Sequence, residues 1–258
     1  MTAETTPADT PYAVLIDALA AEGSRMAATL AHEGPAALNR PVPTCPGWTI
    51  ADLVAHVGSV HRRACHVVET RAQRGRAFVE LVVDPPRPES LARWVGDGAD
   101  TLRDALRDAT PDESLWTWGD GRNARWWARR QHAETLVHRL DLELALGSTP
   151  EADPALAAEA VDEGLSNVAA SGRFHDRVAE LRGEGSLHLH ATDTAGEWTI
   201  TLRDDGFDIG HDHTKGTVAA RGPAIALLGA LTGRGPVEAL DRFGQTALLE
   251  WWIERSGL

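Results

Sequence analysis

The chain has 258 residues, with 38 acidic and 25 basic side chains and a formal charge of −13 when histidine is neutral. That charge excludes a general nucleic-acid binder, and a hydrophobic content of 43%, enough to fill a core, excludes disorder over most of the length. The longest uncharged apolar stretches fall short of the ~18–20 residues of a spanning helix, residues 1–12 lack the basic start and apolar run of a signal peptide, and Cys45 and Cys65 form neither a CxxC pair nor a disulfide framework. The expectation is a soluble, cytoplasmic protein with no membrane or nucleic-acid partner, built as one large domain or two small ones.

The first half reads as four long helices. Residues 10–32 carry Leu15, Leu19, Met26 and Leu30 at spacings of four, seven and four, the stripe of an amphipathic helix. A Pro-rich connection follows and ends at Thr49, which with Asp52 three residues on forms a capping-box-like start; Trp48 before the cap can pack on Leu53 as a hydrophobic staple. A second helix is predicted over about 50–72, a third over 88–109 with Leu91, Trp94, Leu102 and Leu106, and a fourth over 124–146 that stops at Gly147. Asp153-Pro154 then caps and opens a further helix to about 171. From 185 onward, SLHLHATD, EWTITLRD, GFDIG and GTVAARG read as short strands, with a hairpin signal at Asp204-Asp205-Gly206. Helices at 223–233 and 245–254 complete the chain. The fold class is therefore α+β: a four-helix bundle over 1–150, then a linker helix and a small α+β domain over 151–258.

Three residues of the bundle stand out chemically. His56 lies in line with Leu53, Val57, Val60 and Ala64, which aims its imidazole at the bundle interior; by itself it reads as a hydrogen-bonded core histidine. On the fourth helix, Glu134 and His138 are four apart, hence stacked on one face, and border the apolar stripe of Ala133, Leu136, Val137, Leu140 and Leu144. By itself such a pair reads as an exposed i,i+4 contact. Together with His56 it makes two imidazoles and a carboxylate projecting from two bundle helices, a recognised way to build a metal site, and three protein ligands leave the open position typical of a catalytic zinc.

The stretch Cys45-Pro46-Gly47-Trp48-Thr49-Ile50-Ala51-Asp52-Leu53-Val54-Ala55-His56-Val57-Gly58 resembles the amino-terminal signature of the mycothiol-dependent maleylpyruvate isomerase family, one of the DinB-like helical bundles. Glu134-Thr135-Leu136-Val137-His138-Arg139-Leu140-Asp141 is similar to its second metal motif. Ala191-Thr192-Asp193 into Trp198-Thr199-Ile200, and Arg221-Gly222-Pro223-Ala224 through Leu231-Thr232-Gly233-Arg234, look like its small carboxy-terminal domain, so the resemblance spans roughly 10–255. It implies that His56, Glu134 and His138 hold a divalent metal, usually zinc, and that mycothiol is the thiol cosubstrate. Mycothiol is confined to actinobacteria, in agreement with the GC-rich codons implied by 24 arginines against the single lysine, Lys215. The resemblance further implies an arginine that matters for activity in the carboxy-terminal domain. Arg234 matches it best, with Arg242 as the fallback and a surface arginine as the bland reading.

On this reading the thiol sulfur takes the open metal position and reacts as the thiolate. The thiolate can stay on a small electrophile, which is S-transfer, or add to a cis double bond, permit rotation and leave, which is isomerisation. S-transfer is placed first and maleylpyruvate isomerisation second, because a family is broader than one substrate. A non-enzymatic metal-holding or ligand-sensing protein is the competing class. The flanking loops 73–90 and 110–123 offer Trp116, Trp118 and Arg122, and Trp126 and Trp127 either wall the cavity or pack in the core. Elsewhere, His188 and His190 share a strand face and His211-Asp212-His213 is a compact cluster, which makes a second metal site conceivable beside the plainer reading of solvent-facing residues. Cys45, just before a helix start, is read first as a small packed turn residue and second as a redox or nucleophilic group. Gly233-Arg234-Gly235-Pro236 lacks phosphate-loop spacing, and there is no GxSxG elbow.

Overall fold

The computed structural model describes residues 7–119, 121–170, 183–204 and 206–256. The fold is α+β, in two compact units. The first is Pro11–Glu151, and the second runs from Ala152 onward and also takes in the 3-10 helix Pro7–Asp9. Residues 7–9, which the sequence division after 150 leaves with the bundle, thus pack with the later unit.

The first unit contains α1 (Tyr12–Glu33), α2 (Ile50–Glu69), the single turn α3 (Arg76–Val79), α4 (Leu91–Arg107) and α5 (Ala124–Leu146). Local signals set most of these bounds. The Thr49 and Asp52 capping box is present: Thr49 N donates to Asp52 Oδ2 at 2.8 Å and Asp52 N to Thr49 Oγ1 at 3.3 Å. Asn123 Oδ1 accepts from Trp126 N at 2.9 Å to cap α5, and Gly147 closes it in the left-handed conformation at φ 83°. α2 ends three residues short of the expected 72, because Arg71 takes a left-handed φ of 52°. The helix expected over 88–109 begins as a 3-10 turn, Pro88–Ser90, and is α-helical from Leu91.

α1 packs on α4 and α5, and α2 on the same two, so α4 and α5 sit diagonally across the bundle. One apolar cluster gathers Leu15, Leu19, Leu102, Leu106, Leu115 and Trp127; another gathers Met26, Ile50, Leu53, Val57, Val95 and Leu142. Close approach is needed at Gly58 of α2, where an added Cβ would lie 2.3 Å from Cζ3 of Trp94 on α4. The Trp94 ring is in turn covered by the Arg62 guanidinium, 4.1 Å from its centroid. Phe78, Trp116, Trp118, Trp126 and Trp127 pack with tilted and edge-on rings at the start of α5, and Trp127 Nε1 donates to Trp116 O at 2.7 Å. Of the two readings for Trp126 and Trp127, core packing is what this arrangement displays.

The second unit starts with α6 (Pro154–Ala170), capped by Asp153 Oδ1 accepting from Ala155 N and Leu156 N at 2.9 and 3.1 Å. Among the described residues five strands follow: β1 (Ser186–Ala191), β2 (Glu197–Leu202), β3 (Phe207–Gly210), β4 (Val218–Gly222) and β5 (Asp241–Gly244), with α7 (Ala224–Leu231) between β4 and β5 and α8 (Thr246–Ser256) after β5. Their order is β3-β2-β1-β4-β5, antiparallel except for the β1/β4 pair. β5 is absent from the sequence expectation, since DRFG has no apolar alternation and pairs at an edge. The hairpin signal at 204–206 falls between the paired ends Leu202 and Phe207; Asp205 itself lies outside the described residues. Leu187, Leu189, Trp198, Ile200, Val218 and Ala220 share the buried face, and Trp198 Nε1 donates to Asp162 Oδ1 on α6 at 3.0 Å. No helix among the described residues is long and apolar enough to cross a membrane.

The fully buried histidine of α2 is His61, not His56. Thr135 Oγ1 donates to Gln131 O at 2.7 Å, so at 2.9 Å it accepts from His61 Nε2, which fixes the neutral tautomer. Burial, with the nearby Arg62 charge, pushes the His61 pKa down to about 4. Unfolded chains bind this proton from about pH 6.5 downward and the folded protein does not, so stability should fall by roughly 3 kcal/mol between pH 6.5 and 4. Urea unfolding of the wild type against His61→Gln over that range should show the acid limb flattened in the variant; parallel limbs would refute the assignment.

Candidate metal centre

Two helices supply the three expected donors. His56 comes from α2, one turn after the capping box, and Glu134 and His138 from successive turns of α5. Glu134 Oε1 lies 3.1 Å from His56 Nε2 and 3.3 Å from His138 Nε2, and the two imidazole rings meet edge-on with centroids 5.0 Å apart. All three ligand atoms lie within 4.8 Å of one another. The His56 side chain is 36% exposed, so its ring stands at the margin of the core rather than in the interior that the helical pattern predicts. Trp48 packs on the cluster that contains Leu53 and lays its indole beside both rings, 5.0 Å from His56 and 6.4 Å from His138.

The surroundings orient these donors. The second oxygen of Glu134, Oε2, accepts from Arg130 Nη2 one turn earlier, leaving Oε1 to the imidazoles. His138 Nδ1 donates to Asp141 Oδ2 at 2.8 Å, which turns Nε2 toward Glu134. Asp141 is itself fixed: its Oδ1 accepts from Thr44 Oγ1, and Cys45 Sγ lies 3.5 Å from Oδ2. A buried carboxylate behind a histidine sets the tautomer and orientation that a metal requires. Cys45 is thus a turn residue that also touches the carboxylate behind His138. Asp141 lacks a role in the sequence reading, although its i+3 spacing from His138 was a usable signal.

Charge follows the same arrangement. Burial alone would push the Glu134 carboxyl up, but the Arg130 charge and the bonds to His138 and His56 hold it well below the ordinary range. Burial would push His138 down, and the bonds to Asp141, Cys45 and Glu134 hold it well above. The metal-free centre is therefore an imidazolium between two carboxylates, and a cation entering there displaces a proton from His138. Two nitrogens and one oxygen, converging and braced from behind, fit zinc or another borderline divalent metal.

Arg234 belongs to the second unit, in the turn after α7. Its backbone N donates to Gly229 O at 2.7 Å and its Nη1 to Thr232 O at 2.6 Å. Arg242, on β5, pairs through Nη1 with Glu250 at 2.8 Å.

Two family models match, the mycothiol maleylpyruvate isomerase N-terminal domain over residues 19–143 and the MDMPI C-terminal domain over 155–250. The chain belongs to the mycothiol maleylpyruvate isomerase family. Among solved structures, that of the mycothiol-dependent maleylpyruvate isomerase aligns with a TM-score of 0.61 at 17% identity, covering 92% of this chain and 95% of that one. A mutant of that isomerase aligns over the same shares at 17% identity with a TM-score of 0.57. At this identity the two structures speak for the fold. No match was found among curated proteins. The family models cover both units, and the first reaches from α1 through the whole 134–141 stretch.

The bracing of His138 can be read directly. In chelator-treated protein, an NMR titration of the His138 ring should give a midpoint well above 6.5, and Asp141→Asn should bring it down toward the ordinary histidine value. An unchanged midpoint in the variant would show that Asp141 does not hold the ring.

Proposed function

We propose that this chain is a metal-dependent enzyme that uses mycothiol to isomerise a small cis-unsaturated acid of the maleylpyruvate type. The observation that carries the reading is the meeting of His56, Glu134 and His138 from two helices, inside the half of the chain that the family's amino-terminal model matches. The family at both units supports isomerisation ahead of S-transfer, which reverses the order drawn from the sequence. Membership of that family also puts an enzyme ahead of a metal-holding or sensing protein.

A divalent metal, zinc by the donor set, supplies Lewis acidity that favours the thiolate of mycothiol near neutral pH. The chain's part is positioning. Asp141 keeps the His138 ring turned, Arg130 neutralises one oxygen of Glu134 and keeps it ionised, and Trp48 screens both rings from water on one side. The thiolate adds to one alkene carbon, the former double bond rotates as a single bond, and the thiolate leaves as the trans double bond forms. No atom is gained or lost, so thiol is not consumed. Retention of the thioether instead would be S-transfer, which consumes one thiol for each electrophile.

His138→Ala should lower metal content by about one ion per chain and abolish mycothiol-dependent isomerisation of maleylpyruvate, with far-UV circular dichroism unchanged. Asp141→Asn should weaken metal binding by about 10- to 100-fold. Stoichiometric loss of thiol during turnover would establish S-transfer, and unaltered metal content in both His56→Ala and His138→Ala would remove the centre.

Arg234 is our proposed substrate-binding residue in the second unit, a guanidinium suited to a carboxylate of the acid. Arg234→Ala should raise KM for the acid by about tenfold or more while metal content stays constant. An unaffected KM, together with a loss in Arg242→Ala, would transfer the role to Arg242.

A further inference from the structure

The second unit carries a cluster that the proposed reaction does not use. His188 and His190 alternate on β1 and so share the sheet face opposite to Leu187, Leu189 and Trp198. Glu197 of β2 stands directly across from His190 in the ladder, and Thr199 directly across from His188. Thr199 Oγ1 donates to Asp212 O at 3.0 Å, which pins the 211–217 loop to this face and brings His213 over it. The compact sequence trio 211–213 is thereby split, because His211 pairs with Asp162 of α6 at 2.5 Å.

Three imidazole nitrogens face one carboxylate oxygen. Glu197 Oε1 lies 2.5 Å from His190 Nδ1, 2.7 Å from His213 Nδ1 and 3.8 Å from His188 Nε2. One ligand atom from each of the four residues lies within 4.8 Å of all the others, and the His188 and His213 rings meet edge-on with centroids 5.2 Å apart. The His188 side chain is only 9% exposed, and its Nε2, aimed into the cluster, is buried with no hydrogen-bond partner. A buried ring nitrogen in that state is costly unless something occupies it.

We propose that His188, His190, Glu197 and His213 form a second divalent-metal site, of zinc-binding chemistry, separate from the centre on the bundle. Three nitrogens and one oxygen supply four protein donors, which closes the coordination shell as in a structural rather than a catalytic zinc site. Its work is to fasten the 211–217 loop to the β1–β2 ladder.

The test uses full-length protein without a polyhistidine tag, stripped by chelator and titrated with zinc. The His138→Ala background removes the bundle centre, and in it about one tightly bound zinc per chain should remain. Adding His213→Ala, a side chain 79% exposed whose loss does not threaten the fold, should weaken that zinc by at least about tenfold; Glu197→Gln, which keeps the shape, should do the same. Zinc should also raise the melting temperature of His138→Ala and fail to do so in the double variants. No zinc bound by His138→Ala, or zinc bound equally by the double variants, would overturn the proposal without touching the bundle centre, whose own test is the ion lost with His138.

Discussion

Helix α5 is buried on almost every side and still carries Thr135, Arg139, Asp141 and Glu143 with little or no exposure. A polar group so placed must find its partner inside the protein, and that requirement fixes how the helix is turned. Arg139, fully buried, donates to Glu22 of α1 at 2.5 Å and to Glu143 one turn on at 2.6 Å, and Glu143 also meets Arg25 at 2.9 Å. Removing Arg139 would take from Glu22 and the buried Glu143 the guanidinium they share, so the group acts as a rotational lock between α1 and α5. The neighbouring stripe, Glu134, His138 and Asp141 at spacings of four and three, then has a single direction left to face, across α5 toward His56 on α2. A rotation by one residue would exchange the two stripes, with the guanidinium where the imidazole is needed.

The two histidine-rich places rest on different periodicities. In the bundle, donors one turn apart on α5 meet a third from α2. On the sheet, residues two apart on β1 meet a cross-strand partner on β2 and a loop residue held by Thr199. Each leaves its carboxylate flanked by imidazoles, but the bundle group keeps three donors with Arg130 and Asp141 behind, whereas the sheet group has four donors of its own. Three donors with support behind suit exchange of a ligand, and four suit permanence.

How much of this the sequence discloses depends on how local each cause is. The start of α2 at Thr49, the stop of α5 at Gly147 and the start of α6 at Asp153-Pro154 are decided by side chains within four residues of the backbone they cap, and all are legible. The trio His56, Glu134 and His138 is legible from helical spacing and family resemblance together. His61 is not distinguished from His56, although it lies four after Val57 and seven after Val54, both fully buried, because helical spacing gives direction but not depth. Asp141 is missed because its effect is on the back of a ligand. β5 and the parting of His211 from His213 depend on ladder pairing and loop anchoring, which no window of sequence contains.

The contact between Gly58 and Trp94 has a consequence for how this scaffold can be inherited or re-engineered. Gly58 lies two residues after His56, and the indole of Trp94 fills the space that any side chain at 58 would need. The two positions therefore form one heritable unit: a methyl group at 58 is tolerable only with a smaller residue at 94, and that exchange also takes away the surface on which Arg62 rests. Homologues should change at both positions or at neither. A library aimed at the metal-bearing end of the bundle should vary them jointly, since a lone change at 58 would displace α2 and carry His56 with it.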